Sequence, residues 1–285
     1  MWILYAFGSA FFAGITAILA KIGIKNTDSN LATAIRTVVI LIFSWLMVFV
    51  VGSQGQISSI SGKTLLFLVL SGFCTGGSWL CYFRALQLGD VNKVTPIDKS
   101  STILTLILAF IILGEQIKLT KILAIILIAV GTFMMITRKE GIEDKSQKGW
   151  AFYAVLSAVF ASLTSILGKL GIVGVESNLG TAIRTIVVLI MAWVVVFVTK
   201  KQNEIKHIDK RSMTFILVSG ITTGLSWLCY YRALHDGEAS VVVPIDKLSI
   251  IITIAFSYFL LKEKLSLKSF IGLIVIVGGT MCMLF

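Results

Sequence analysis

Charge is scarce in this chain: Asp, Glu, Lys and Arg make up 14% of its 285 residues, against 57% hydrophobic types. With a mean hydropathy of +0.96, that balance excludes an ordinary soluble domain. Sulfur and imidazole are sparse as well. The four cysteines, Cys74, Cys81, Cys229 and Cys282, all fall inside apolar stretches. Their spacing fits neither a disulfide framework nor a metal site, and small packing residues are expected. His207 and His235, the two histidines, lie outside the apolar centres or at an edge. Also missing are a nucleotide-binding glycine loop in a strand context and a nucleophile–base pair with a supporting third group. Neither an enzyme nor a cofactor is expected.

What is present is a repeat. Sliding the chain by 148 residues lays Trp2–Thr137 over Trp150–Phe285 without a gap, with about 60 identical positions. Thr33-Ala-Ile-Arg36-Thr37 returns as Thr181-Ala-Ile-Arg184-Thr185, and Pro96-Ile-Asp98-Lys99 as Pro244-Ile-Asp246-Lys247. The apolar stretches run roughly 3–22, 31–52, 64–86, 94–113, 119–137, 150–172, 179–199, 213–235, 242–261 and 267–285. Most reach about 20 residues, long enough at 1.5 Å rise to cross about 30 Å of hydrocarbon. The first lacks a basic leader and a small-residue cleavage site, and so reads as a helix, not a signal peptide. The expected fold is an all-α integral membrane protein of ten transmembrane helices. Its units are a first five-helix repeat at 1–137, a polar linker at 138–148 and a second repeat at 149–285. Five crossings per repeat, an odd number, turn the second copy upside down, the architecture of carriers with alternating access. Fusion of the two copies predicts a monomer.

The net charge of +11 raises the question of a nucleic-acid partner, and the positions of the charges argue against one. Fourteen of the 25 Lys and Arg fall in the loops after the odd-numbered stretches, including Arg138, Lys139, Lys145, Lys148, Lys200, Lys201, Lys206, Lys210, Arg211, Lys262, Lys264 and Lys268. Only Lys63, Lys118 and Lys121 lie in the opposite loops. This is the positive-inside signal of a multi-pass cell-membrane protein, with both termini outside the cytoplasm. The expected partners are membrane lipids and a small-molecule solute, with a coupling proton or ion left open.

Charges inside the apolar stretches are costly and informative. Repeat one carries Lys21, Arg36, Arg84, Asp98 and Lys99 toward one face; repeat two carries Lys169, Arg184, Arg232, Asp246 and Lys247 toward the other. Two mirrored clusters are expected to bracket a neutral midplane and to act as a gate and charge network. Asp98 would pair with Arg36 or Arg84, and Asp246 with Arg184 or Arg232. For Lys21, Arg84 and their repeats, snorkelling to headgroups is the alternative. Eight basic groups against two acids leave the interior about +6, which favours anionic or zwitterionic solutes. Between the clusters, Ser71, Thr75, Ser78, Trp79 and Tyr82 recur as Ser219, Thr223, Ser226, Trp227 and Tyr230. Helical spacing puts Ser71, Thr75, Ser78 and Tyr82 on one stripe. Thr75, Ser78, Trp79, Tyr82, Thr223, Ser226, Trp227 and Tyr230 are therefore candidates for a solute-cavity wall, with interhelical hydrogen bonding as the alternative. Thr16, Thr164, Ser101, Thr105, Ser249 and Thr253 add polar positions. Gly72-x-x-x-Gly76 and Gly220-x-x-x-Gly224 permit close helix approach, by plain packing or as flexible points in rocking.

Taken in order, these residues resemble the drug/metabolite transporter superfamily, and its EamA-type members in particular. The resemblance rests on Lys21 and Lys169, Arg36 and Arg184, and Ala85-Leu86 and Ala233-Leu234. Pro96 and Pro244, the turn glutamates Glu115 and Glu263, and the late glycines Gly131 and Gly279 complete it. The Asp-Lys after each proline resembles a sub-branch that includes proteins of one repeat, which implies duplication and fusion of such a unit. The family implies inverted five-helix repeats, a central cavity and transport of small metabolites without ATP hydrolysis. Two features depart from it. Members usually keep both termini in the cytoplasm, and the related small multidrug exporters use an acid in their first helix, where this chain has none. The expected function is secondary transport of a small polar metabolite by alternating access, an amino acid or other carboxylate first. The rivals are an exporter of organic cations bound at Asp98 and Asp246, and a non-transporting membrane sensor or assembly protein.

Overall fold

A computed structural model describes residues 1–116, 118–136, 148–262 and 265–282. Repeat one consists of α1 (Trp2–Gly23), α2 (Ser29–Val51), α3 (Gly62–Leu88), α4 (Val91–Lys99), α5 (Ser101–Leu108) and α6 (Leu119–Ile136). Repeat two consists of α7 (Trp150–Gly171), α8 (Ser177–Val198), α9 (Lys210–Asp236), α10 (Ala239–Lys247), α11 (Ser249–Phe256) and α12 (Leu267–Cys282). Among the described residues there is no strand. Eight segments among the described residues are long and apolar enough to cross a membrane, with α4–α5 and α10–α11 each counted as one. The apolar stretches within α6 and α12 are shorter, Leu119–Met135 and Leu267–Cys282.

The repeat is visible in how helices start. Asp28 caps α2 by accepting from the N–H groups of Asn30 at 2.9 Å and Leu31 at 3.1 Å. Its counterpart Glu176 caps α8 on Asn178 at 2.8 Å and Leu179 at 3.1 Å. Ser61 accepts from Thr64 N–H at 3.1 Å and Asp209 from Ser212 N–H at 2.9 Å, so the same device opens α3 and α9. These contacts satisfy N–H groups that the first helical turn leaves without partners. The bond from Ser212 also holds the Asp209 carboxyl below its usual range.

Stretches four and nine, expected to be continuous, are broken. Pro96 lies inside α4 and Pro244 inside α10. Each ring lacks the N–H that would bond the carbonyl four residues back. The breaks follow at Ser100 and Leu248, directly after each Asp-Lys pair, and both segments end in a π-helical turn, Ala109–Leu113 and Ser257–Leu261. Polar chain at a helix break is tolerated within a membrane where it faces protein or a cavity.

The main helix contacts cross between repeats: α1 packs on α9, α3 on α7, α2 on α8 and α6 on α12. Glycine sets the distance at two further crossings, of α3 on α8 and of α9 on α2. A Cβ on Gly72 would come within 2.7 Å of Val187 Cβ and 2.9 Å of the Arg184 carbonyl oxygen, and one on Gly220 within 2.9 Å of Val39 Cβ. Both glycine pairs therefore serve close packing of α3 on α8 and of α9 on α2. Large apolar side chains such as Ile42, Phe49, Phe133, Phe152 and Ile274 cover the outer surface, as hydrocarbon requires.

Candidate functional site

A cavity of about 160 Å³ lies between the two repeats, walled by α1, α3, α4, α7, α9 and α10 with Arg36 from α2. Thr75, Ser78, Trp79, Tyr82, Thr223, Ser226, Trp227 and Tyr230 all border it. Trp79 and Trp227, both on its wall, have ring centroids 4.6 Å apart. The hydroxyls also tie helices together. Ser78 Oγ donates to the Ser157 carbonyl at 3.2 Å, Ser226 Oγ donates to the Ser9 carbonyl at 3.0 Å, and Tyr230 pairs with Ser165 at 2.8 Å. The same side chains thus border the cavity and bond between helices. Ser71 is the exception, since it lies behind the wall, donating to the Thr164 carbonyl at 3.1 Å.

The charges depart from expectation. Asp98, Lys99, Asp246 and Lys247 border one and the same cavity rather than forming two clusters at opposite faces. The reason is depth: α4 begins at Val91 and α10 at Ala239. Seven residues of helix, about 10 Å of rise, then carry each aspartate well into a hydrocarbon layer about 30 Å thick. The expected Asp–Arg gates are not formed in this conformation. Asp98 accepts from Ser157 Oγ at 3.0 Å and Asp246 from Ser9 Oγ at 2.5 Å. Arg84 donates to Gln87 at 2.6 Å, and Arg232 pairs with Asp236 at 3.2 Å, away from the cavity. Serine serves the aspartates because α7 packs beside α4 and α1 beside α10, whereas the arginines of α2 and α8 turn toward hydroxyls of α9 and α3. Arg36 donates to Thr223 Oγ1 at 2.6 Å; Arg184 donates to Ser71 and Thr75, each at 2.8 Å.

Lys21 and Lys169 neither border the cavity nor reach for headgroups. Lys21 Nζ donates to the carbonyls of Leu86 and Gly89, the latter at 2.8 Å, and Lys169 Nζ to those of Leu234 and Gly237, each at 2.6 Å. A cation at a helix C-terminus satisfies its last carbonyls and opposes its dipole.

Sequence reasoning missed Ser9 and Ser157, the partners of the two aspartates. They occupy equivalent repeat positions, so a serine repeated in an apolar helix was the available signal. It also missed Phe83 and Tyr231, whose rings lie 4.1 Å from the Arg36 guanidinium and 4.0 Å from that of Arg184. Thr16 and Thr164 do border the cavity, whereas Thr253 bonds the Gly14 carbonyl at 3.2 Å and Thr105 that of Ser101 at 3.0 Å. Glu115 reaches across the repeats and accepts from the N–H groups of Ala239 and Ser240, each at 3.0 Å, capping α10. Glu263, the linker basic residues Arg138, Lys139 and Lys145, and Lys264 lie outside the described residues.

In sum of formal charge, Arg36, Lys99 and Lys247 face Asp98 and Asp246 around this cavity, one positive charge in excess. Among the described residues no group of three or more His, Cys, Asp or Glu is placed to hold a metal ion.

Known proteins share both the sequence and the shape. The model of the EamA-like transporter family matches residues 1–137 and again 148–285. An uncharacterized transporter of a Sinorhizobium species is 45% identical over 134 residues, spanning 47% of this chain and 95% of its own length. That relative is therefore about one repeat long. An uncharacterized transporter of Archaeoglobus fulgidus is 24% identical over 225 residues, spanning 78% of this chain and 77% of its own. A solved structure shares the fold with a TM-score of 0.71 at 14% identity, covering 99% of this chain and 96% of that one. With the family model matching both halves and eight segments among the described residues long and apolar enough to cross a bilayer, this is a multi-pass membrane protein that belongs to the EamA-like transporter family.

Proposed function

We propose that the protein is a secondary carrier that moves a small anionic or zwitterionic metabolite, an amino acid or other carboxylate first, by alternating access. In this reading α6 and α12 cross the membrane as well, which makes ten spans in two inverted five-span repeats, at 1–137 and 149–285 with a linker between. The carrier works as a monomer with its termini outside the cytoplasm. The observation that carries the reading is the cavity between the repeats, walled by hydroxyls and aromatic rings, with three cationic and two anionic side chains around it. A solute with a carboxylate balances the excess cation, and an ammonium on the same solute finds Asp98 or Asp246. Trp79 and Trp227 supply apolar faces beside them. Equivalent helices of the two repeats form opposite walls, so a rocking of one repeat against the other opens the cavity to either side.

A second reading keeps one observation in its favour. Two carboxylates beside a tryptophan pair also suit an organic cation, which aromatic faces attract. Counterflow in proteoliposomes decides between them. Vesicles preloaded with a mixture of amino acids and other small carboxylates should accumulate the labelled external carboxylate, and vesicles preloaded with organic amines should not accumulate labelled amine. Accumulation of the amine alone would establish the second reading, and exchange of neither would remove the carrier reading.

A further inference from the structure

We propose that Arg36 is the anchor for the solute's oxyanion, a carboxylate in the class above, and that its repeat partner Arg184 is a structural residue. The inference rests on the carrier reading and adds to it a residue and a functional asymmetry that the repeated sequence hides. Arg36 and Arg184 occupy equivalent positions in two nearly superimposable sequence motifs. Both guanidinium groups are buried, at 1% and 0% exposure, and both lie over an aromatic ring.

Their hydrogen bonding differs. Arg184 uses Nε on Ser71 and Nη2 on Thr75, which leaves only Nη1 without a partner. Arg36 uses Nη2 on Thr223, and both Nε and Nη1 are without partners. The difference lies in the serine that faces each one. Ser71 donates to the Thr164 carbonyl and keeps its oxygen turned to Arg184. The equivalent Ser219 instead donates within its own helix to the Ile216 carbonyl at 2.7 Å. Thr16, the counterpart of Thr164, is engaged by Thr222 at 2.8 Å, and position 222 corresponds to Cys74 in repeat one.

Their position relative to the cavity differs too: Arg36 borders it and Arg184 does not. A buried cation with two unsatisfied donors and no bonded carboxylate is an unstable arrangement unless something else completes it. Both aspartates of the cavity are turned to serines. An oxyanion entering the cavity supplies what Arg36 lacks, a negative charge and acceptor oxygens, and charge-assisted hydrogen bonds of this kind are the strong ones.

The test uses the purified full chain in detergent and reads its thermal midpoint against increasing propionate, L-alanine and L-alaninamide, with chloride as the ionic control. Wild type should be stabilised by propionate or alanine and not by alaninamide. Arg36→Lys keeps the charge, and so the fold, but loses the planar donor array; its apparent affinity for the stabilising carboxylate should fall about tenfold or more. Arg184→Gln should start from a lower midpoint and keep the wild-type carboxylate response. An unchanged affinity in Arg36→Lys, or loss of the response in Arg184→Gln alone, overturns the assignment while leaving the carrier reading to the counterflow experiment. Equal stabilisation by alaninamide, or none by either carboxylate, overturns the oxyanion anchor itself.

Discussion

Replacing Glu115 with alanine removes both acceptors from the start of α10, the helix that delivers Asp246 and Lys247 to the cavity. Glu115 accepts from the N–H groups of Ala239 and Ser240 at 3.0 Å each, and both of those residues are buried. Neither N–H has an intrahelical partner, because the first turn of a helix offers none. Losing a side-chain cap costs about 0.5–2 kcal/mol, and leaving a buried donor unsatisfied costs about 1–3 kcal/mol. Glu115 is only half buried, so water relieves part of that penalty, and about 1–3 kcal/mol in total is expected for Glu115→Ala. Glu115→Gln retains one acceptor oxygen and should lose about half as much. The assay is thermal or denaturant unfolding of the purified protein, paired with amide hydrogen exchange at Ala239 and Ser240. Faster exchange there, without a general rise elsewhere, places the effect at the α10 start. Equal stability of all three proteins, with unchanged exchange, would refute the capping role and the idea that the repeats are latched through this contact.

Two further outcomes follow from packing and charge. Gly72→Ala puts a Cβ 2.7 Å from that of Val187 and 2.9 Å from the Arg184 carbonyl, so α3 and α8 must separate; a loss of about 1–3 kcal/mol is expected from such overpacking. Gly278→Ala, with nothing within 4 Å of its added carbon, should leave the unfolding midpoint unchanged or slightly raised, and equal effects at both positions would count against the packing role. For orientation, a cysteine placed in the Lys200–Arg211 loop of a variant lacking native cysteines should resist an impermeant thiol reagent in intact cells, and strong labelling would reverse the assignment from loop charge.

Much of the architecture was legible because hydrocarbon imposes simple rules. Apolar length gives the spans, and an uninterrupted internal repeat gives their pairing. The eight wall positions were legible too, since Thr75, Ser78, Trp79 and Tyr82 and their repeats stand out as polar or aromatic residues in apolar helices. What the pattern did not carry was depth and rotamer. From the sequence, Asp98 and Asp246 read as gate residues near opposite faces because the apolar stretches begin only near 94 and 242 and carry no mark of the break after each Asp-Lys pair. Lys21 and Lys169 read as members of a charge network, with headgroup snorkelling as the alternative, because their acceptors are backbone carbonyls, which every residue has and which no sequence pattern marks. The unequal bonding of Arg36 and Arg184 turns on a serine rotamer between identical residue types, a choice made by packing rather than by composition.

The most direct test of the carrier reading is access to the cavity from both sides of the membrane. Ala161 borders it and is half buried, and a cysteine there replaces a small side chain without adding charge. In a variant lacking the native cysteines, Ala161→Cys should react with an impermeant thiol reagent both in right-side-out cells and in inverted membrane vesicles. Reaction from one face should fall as conditions favour the state open to the other. Labelling from a single face under all conditions, or from neither, would contradict a cavity that opens alternately to the two sides.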